Sequence, residues 1–196
     1  MSSVFQTYLQ LGFFHIFNLQ AYDHLVFLLA LCAPYVLQDW RRVVALVTSF
    51  TVGHSITLAL ATLGFMQYSP SLIEVLIPIT ILLTCLVNLR KAGQRPNPKA
   101  PIVLALPNLL AVSFGLIHGL GFSSYLRELL GHQSRPVLEL LAFNVGVELG
   151  QLLIVSLILI LGFIVLRMLR AARRDWLLVV SGAAAGIAAI LLLQHV

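Results

Sequence analysis

Four histidines, His15, His24, His54 and His118, stand inside or at the mouth of long apolar stretches, and two carboxylates, Asp23 and Glu148, stand in stretches of the same kind. An ionisable side chain within a bilayer costs roughly 2.5 kcal/mol or more, and those that are kept face a cavity or a partner. Imidazole and carboxylate together are donors that suit divalent nickel, cobalt and zinc, while the lack of a thiolate cluster argues against copper(I). The same groups would also serve a proton relay. Plainer roles stand beside these. Asp23 in a first helical turn favours the helix dipole, and His54 or His118 alone could be hydrogen-bond glue between helices.

The element around His118 is Phe114–Ser124, FGLIHGLGFSS, in which glycines flank the histidine and allow close approach of a backbone or a ligand. Answering polar groups lie on two other stretches. Asn144, Glu148 and Gln151 recur at i, i+4 and i+7, so they line one helix face, and Gly146 with Gly150 makes a GxxxG on another. Thr48, Thr51 and Ser55 share a face, with His54 beside it. In lipid each polar stripe needs a counterpart, so these two stripes and His118 are expected to meet. Ser55 next to His54, or Ser123–Ser124 after His118, does not make a hydrolase nucleophile, since neighbours diverge by about 100° on a helix and no GxSxG elbow occurs. Neither a phosphate loop nor a dinucleotide fingerprint is present.

The elements that position these groups follow from composition. Of the 196 residues 60% are hydrophobic and only 10% charged, far below the soluble average of about 25% charged, so the solvent is lipid. The net charge of +5 is not a nucleic-acid footprint, because the basic residues sit in short connectors, not on a stripe. They read as topology signals and headgroup contacts. Cys32 and Cys85 lie in apolar runs without a CxxC neighbour and read as structural thiols. A basic n-region with a small-residue cleavage site is not evident at the start, which argues against a cleaved signal peptide.

An all-α, polytopic membrane domain is therefore expected over residues 1–196, with six transmembrane helices at about 21–37, 43–64, 71–89, 102–126, 137–166 and 177–194. Residues 3–17 reach only ~22 Å against a ~30 Å hydrocarbon core, so they read as an interfacial or re-entrant half-helix that ends at the break Asn18–Tyr22. Connectors on one side carry Arg41, Arg42, Arg90, Lys91, Arg95, Lys99, Arg167, Arg170, Arg173 and Arg174; the other side has Arg127 and Arg135. The positive-inside rule puts the first set in the cytoplasm and both termini outside. On these spans Asp23–His24 sit at the outer end of the first, His54 and Glu148 near the middle of theirs, and His118 in an outer half, so the site should open outward. Glu74 and Glu139 read as solvated end residues, the latter with Arg135 as a possible mate, and His132 and His195 as incidental.

The stretches GFFHIFNLQAYDHLVFLLAL, FTVGHSITLALA, FGLIHGLGFSSYL and LLAFNVGVELGQ resemble, in order, the blocks of the HupE/UreJ family of small bacterial membrane proteins. The resemblance runs from about Leu11 to Gln151. It implies six or so spans, nickel permeation or a nickel-uptake accessory role linked to hydrogenase and urease maturation proteins, and ligands in the first span, here His15, Asp23 and His24. The eight-residue separation of His15 from Asp23 is longer than in many members and argues against co-ligation by His15.

The expected function is thus a divalent-metal (nickel) permease or uptake accessory protein of the bacterial inner membrane. Its ligands would be His24, Asp23, His54, His118, Glu148 and His15, supported by Ser55, Asn144, Gln151 and Thr51. Zinc or cobalt are alternative cargoes, nucleic acid is not a partner, and the GxxxG face allows an oligomer. One rival is a zinc-dependent intramembrane hydrolase for a lipid or amide, with His24, His54 and His118 as ligands. Another is a non-catalytic membrane partner whose polar groups only knit helices.

Overall fold

A computed structural model describes residues 4–18, 22–92, 94, 106–130 and 136–195. Arg95, Lys99, His132 and Arg135 lie outside them. The described residues are helical, with no strand among them. In chain order the helices are α1 Val4–Ile16, α2 Asp23–Cys32, α3 Trp40–Thr62, α4 Pro70–Arg90, α5 Leu106–Gly121, α6 Ser123–Leu130, α7 Pro136–Phe163 and α8 Arg173–Gln194.

Local sequence explains most ends. Gly64, with φ of 83°, closes α3. Its N–H bonds the Ala61 carbonyl at 3.1 Å and the Phe65 N–H reaches Leu60 at 2.8 Å, the paired bonds of a left-handed helix stop. Pro70 opens α4 at a position where no N–H is needed. A π-helical stretch, Ile164–Met168, continues α7 to the basic connector, where Arg170 takes a positive φ of 53°.

Four helices are long and apolar enough to cross a bilayer, and the α5–α6 pair, bent by 50°, raises the number to at most five among the described residues. The expected six separate spans are therefore too many. The expected first span, 21–37, contains only the ten residues of α2, about 15 Å of helix. Pro34 and the turn after Cys32 end it early. The expected fourth span, 102–126, is broken at Phe122 into α5 and α6.

The N-terminal helix, expected as an interfacial or re-entrant half-helix, packs against the body of the protein. It lies along α7, with Gly146 against the backbone at Leu9 and Phe13, and Gly150 against Phe13 and Ile16. The two helices run parallel, and Gly12 meets the Phe143 carbonyl in return. The GxxxG face is thus used inside the chain. In the same manner α3 runs parallel to α5, joined at Gly53, Gly115 and Gly119. The third close pair, α4 with α8, is antiparallel: Asn88 donates to the Ser181 hydroxyl at 3.2 Å, and at the far end His195 lies 3.5 Å from Glu74.

Two apolar clusters flank the centre. One joins α1, α2, α3, α6 and α7 around Tyr8, Leu28, Val47, Leu126 and Phe143; the other joins α2, α3, α4, α5 and α8 around Phe27, Phe50, Ile81 and Ala184. The start of α3 lies with the end of α7, where Leu37 and Gln38 share a pocket with Phe163 and Arg167. The other end of α3 meets α6, where Arg127 donates to the Ala61 carbonyl. The first residues of α1 and the last of α8 lie at that second end, because α1 packs on α6 through Tyr125 and Leu129, and His195 on Glu74. Arg41, Arg42, Arg167 and Arg173 gather at the first.

Candidate metal centre

The histidines come from helix ends and helix middles that packing brings to one level. His15 is next to the last residue of α1, and Asp23 and His24 open α2 after the chain breaks. His54 is in mid-α3 and His118 three residues before the end of α5. His54 and His118 have no exposed surface, and His24 and His15 keep only 4% and 8%. His24 sits among the rings of His15, His54 and His118, so α2 starts level with the middle of α3 and not at the expected end of a span, while the Asp23 side chain keeps 19% of its surface exposed.

Ring centroids are 4.9 Å apart for His15 and His24, 6.0 Å for His24 and His54, 6.5 Å for His15 and His54, and 5.3 Å for His24 and His118. Two sets of ligand atoms, His15–His24–His54 and Asp23–His24–His118, each fall within 4.8 Å of one another. His24 belongs to both. The eight-residue gap does not keep His15 away, since its ring lies 4.9 Å from that of His24 and the two share a triad with His54.

Hydrogen bonds decide which nitrogens face inward. The Thr80 hydroxyl donates to the Ile77 carbonyl at 2.7 Å. It can then only accept from His118 Nε2, 3.0 Å away, which leaves His118 Nδ1 as a bare lone pair. Likewise His24 Nδ1 lies 3.2 Å from Asp23 Oδ1, so the carboxylate holds that proton and Nε2 is free. Such outer partners orient an imidazole for a metal and raise its basicity. His15 Nε2, His24 Nε2, both nitrogens of His54 and His118 Nδ1 are buried without a hydrogen-bond partner. An unpaired buried polar atom costs about 1–3 kcal/mol, and here five of them lie on four neighbouring rings. Aromatic rings wall it: Phe122 lies 4.0 Å from the His15 ring, and Phe27 and Phe50 lie 5.1 and 5.2 Å from His118.

Compared with known protein families, residues 1–195 match the one described as HupE / UreJ protein. The chain belongs to the HupE/UreJ family. No curated protein and no solved structure matches it.

In this HupE/UreJ chain the two polar stripes do meet. Thr51 donates to Gln151 Oε1 at 2.7 Å and Thr48 to Glu148 Oε1 at 2.6 Å, which makes a polar seam between α3 and α7. Glu148 lies outside both histidine triads; its other oxygen, Gln151 Nε2 and Asn144 Oδ1 are buried without partners. Asn144 spends its amide on the Leu140 carbonyl at 2.9 Å, and Ser55 is half-buried on the neighbouring face of α3. His118 finds its counterpart on α4, not on these stripes. Thr80 was not among the sequence candidates, since a threonine in a span reads as neutral filler; its only signal is its place two residues after Pro78. Glu139 is buried, 3% exposed, and not the solvated end residue expected. Glu74 is exposed as expected, and is paired with His195.

Proposed function

We propose that this chain carries a divalent transition-metal cation, nickel or cobalt, through a bacterial inner membrane, with His15, Asp23, His24, His54 and His118 as the receiving ligands. The observation that supports it is the five orphaned imidazole nitrogens on four neighbouring, buried rings. Neutral imidazole nitrogen binds such a cation at about 2.1 Å, so small side-chain rotations would close either triad around it. The family's association with nickel or cobalt uptake, or with urease accessory function, agrees with a cargo of this kind, and metalloenzyme-maturation proteins are the partners it suggests.

In this reading α1 and α2 act in series as one broken span. They bring the chain to six crossings, with both termini outside and the basic connectors in the cytoplasm. A broken span with ligands at its break is a common way to hold an ion at mid-membrane. The shared His24 lets the cation step from one triad to the other while keeping one bond. From His54 the seam of Thr51, Gln151, Thr48 and Glu148 leads toward the basic end, and Glu148 is the next anionic acceptor. The donor set has no thiolate and only one carboxylate, so binding stays weak enough for release, and protons compete for each ligand.

The test is metal content and affinity of the purified protein, wild type against His15→Ala, His24→Ala, His54→Ala and His118→Ala, followed by uptake into liposomes. Exchangeable nickel or cobalt binding, lost in the variants, together with uptake by the wild type, is the expected result. Tight stoichiometric zinc without uptake would favour the hydrolase. Absence of metal, with impaired folding of the variants, would leave helix-knitting as the role.

A further inference from the structure

The two glycine-joined pairs, α1 with α7 and α3 with α5, repeat the same close backbone contacts. A Cβ on Gly12 would strike the Phe143 carbonyl oxygen, and one on Gly115 would strike that of Phe50. A Cβ on Gly146 would strike Leu9 O and then meet Phe13 N at 2.8 Å; one on Gly53 would strike Val112 O and meet Leu116 N at 3.0 Å. Thus Leu9, Gly12 and Phe13 of α1 correspond to Val112, Gly115 and Leu116 of α5, while Phe143 and Gly146 of α7 correspond to Phe50 and Gly53 of α3.

The sequence agrees at the same register. Gly12-Phe-Phe-His15 answers Gly115-Leu-Ile-His118, and Phe50-Thr-Val-Gly-His-Ser55 answers Phe143-Asn-Val-Gly-Val-Glu148. One turn on, Gly119 of α5 faces Thr57 of α3, and at the matching place Ile16 of α1 faces Gly150 of α7. The small residue has changed sides, which keeps both contacts close. Each unit also begins with a helix broken after its histidine, α1–α2 and α5–α6. The remaining helices sit on their own counterparts, α3 on α7 and α4 on α8, as elements beside a two-fold axis do. Since α3 and α7 run in opposite directions, the axis lies in the membrane plane.

We infer that the chain is a three-span unit present twice in opposite orientations, and that the locked pairs α1·α7 and α3·α5 are equivalent bodies that rock against each other along the Thr48–Glu148 and Thr51–Gln151 seam. Within each pair the closest contacts at Gly12, Gly53, Gly115 and Gly146 are backbone on backbone. Between the pairs the boundary combines apolar side chains, Val43, Val47 and Leu58 of α3 in one cluster with Val147 and Ile154 of α7, with two hydrogen bonds, and leaves Glu148 Oε2, Gln151 Nε2 and Asn144 Oδ1 unmet, atoms that water can satisfy when the seam parts. His15 and His118 are equivalent ligands, one on each body, so the cluster straddles the moving boundary. Val147 stands where the first unit has His54, and this makes the site one-sided. Inverted units that rock about a fixed site give alternating access; that last step rests on the permease reading, whereas the duplication does not.

Two experiments test it, in a background with Cys32→Ala and Cys85→Ala. Single cysteines at Phe65 and Leu169, which are 78% and 71% exposed in the corresponding α3–α4 and α7–α8 connectors, are labelled with an impermeant maleimide in right-side-out and inverted vesicles. Inversion expects the two sites on opposite faces, and labelling from one face overturns it. Spin labels at the lipid-facing positions Phe14, Val52, Leu109 and Leu149 then report distances, with diamagnetic zinc(II) as the probe ion. Val52–Leu149, across the seam, is expected to show more than one distance population, redistributed by zinc. Phe14–Leu149 and Val52–Leu109, within the pairs, are expected to stay single and unmoved. One unchanging population across the seam, or equal spread within the pairs, overturns the rocking bodies. If zinc is not bound, the metal-free distributions still decide this, and the permease reading fails separately on uptake.

Discussion

Thr80 shows how much one uncharged side chain can decide. With its proton committed to Ile77, it fixes His118 as the Nε2–H tautomer and presents Nδ1 to the cluster. Thr80→Val is expected to lower nickel or cobalt affinity by about 10–100-fold, as loss of an outer-shell partner does, while Thr80→Ser keeps it; calorimetric titration in detergent separates the two. Asp23→Asn should cost more than that range, because Asp23 both orients His24 and offers an oxygen to the second triad. The histidines and Asp23 were legible in the sequence because an ionisable group is conspicuous in an apolar run. Thr80 and the Phe122 wall were not, since threonine and phenylalanine belong in such a run whether or not they touch a site.

Helices obey length and periodicity well when packing adds nothing unusual. The spacing places α3, α4, α7 and α8 within a few residues of their observed ends. It leaves α1 as an interfacial or re-entrant half-helix, because a length of ~22 Å distinguishes a full span from a partial one but does not say what the partial one lies against. The glycines that answer this are readable as small residues, though not as partners of a particular backbone. Their role gives a contrast to measure. Gly53→Ala and Gly146→Ala press a methyl into a facing carbonyl and should destabilise by about 1–3 kcal/mol. Gly182→Ala and Gly186→Ala in α8, with nothing within 4 Å, should be neutral or stabilise by about 0.5–1 kcal/mol. Thermal unfolding of the four variants in one detergent checks the split.

At the scale of the molecule, charge carried information that hydropathy did not. The gathering of arginines at one end and of both chain ends at the other agrees with the tally of basic connectors, even though the first span was drawn in the wrong place. In the proposed reading, α1 and α2 in series take the place of 21–37 and the alternation is kept. The pairing of α1 with α7 is a different matter, since no local pattern records contact between segments so far apart in the chain. Glu148, placed on the seam and outside the triads, should affect passage more than capture. Glu148→Gln is expected to leave equilibrium metal binding within about twofold and to lower uptake by about tenfold or more, in line with loss of a charged acceptor from a conduction path. Equal losses in binding and uptake would return Glu148 to the ligand set.

The docking of α1 on α7 also bears on biosynthesis. Every ligand of the two triads precedes residue 119, so a ribosome has made all of them before α7 emerges, His15 by far the earliest. At about 5–20 residues per second, α1 waits on the order of ten seconds for the surface that holds it. During that interval His15 has nowhere fixed to be, while α3 and α5 can already join and bury His54 and His118. A nascent chain arrested after α6 would therefore carry a complete set of ligands and an incomplete site. In the proposed reading the His15–His24–His54 triad is therefore complete only once α7 has been inserted, later than every residue that forms it.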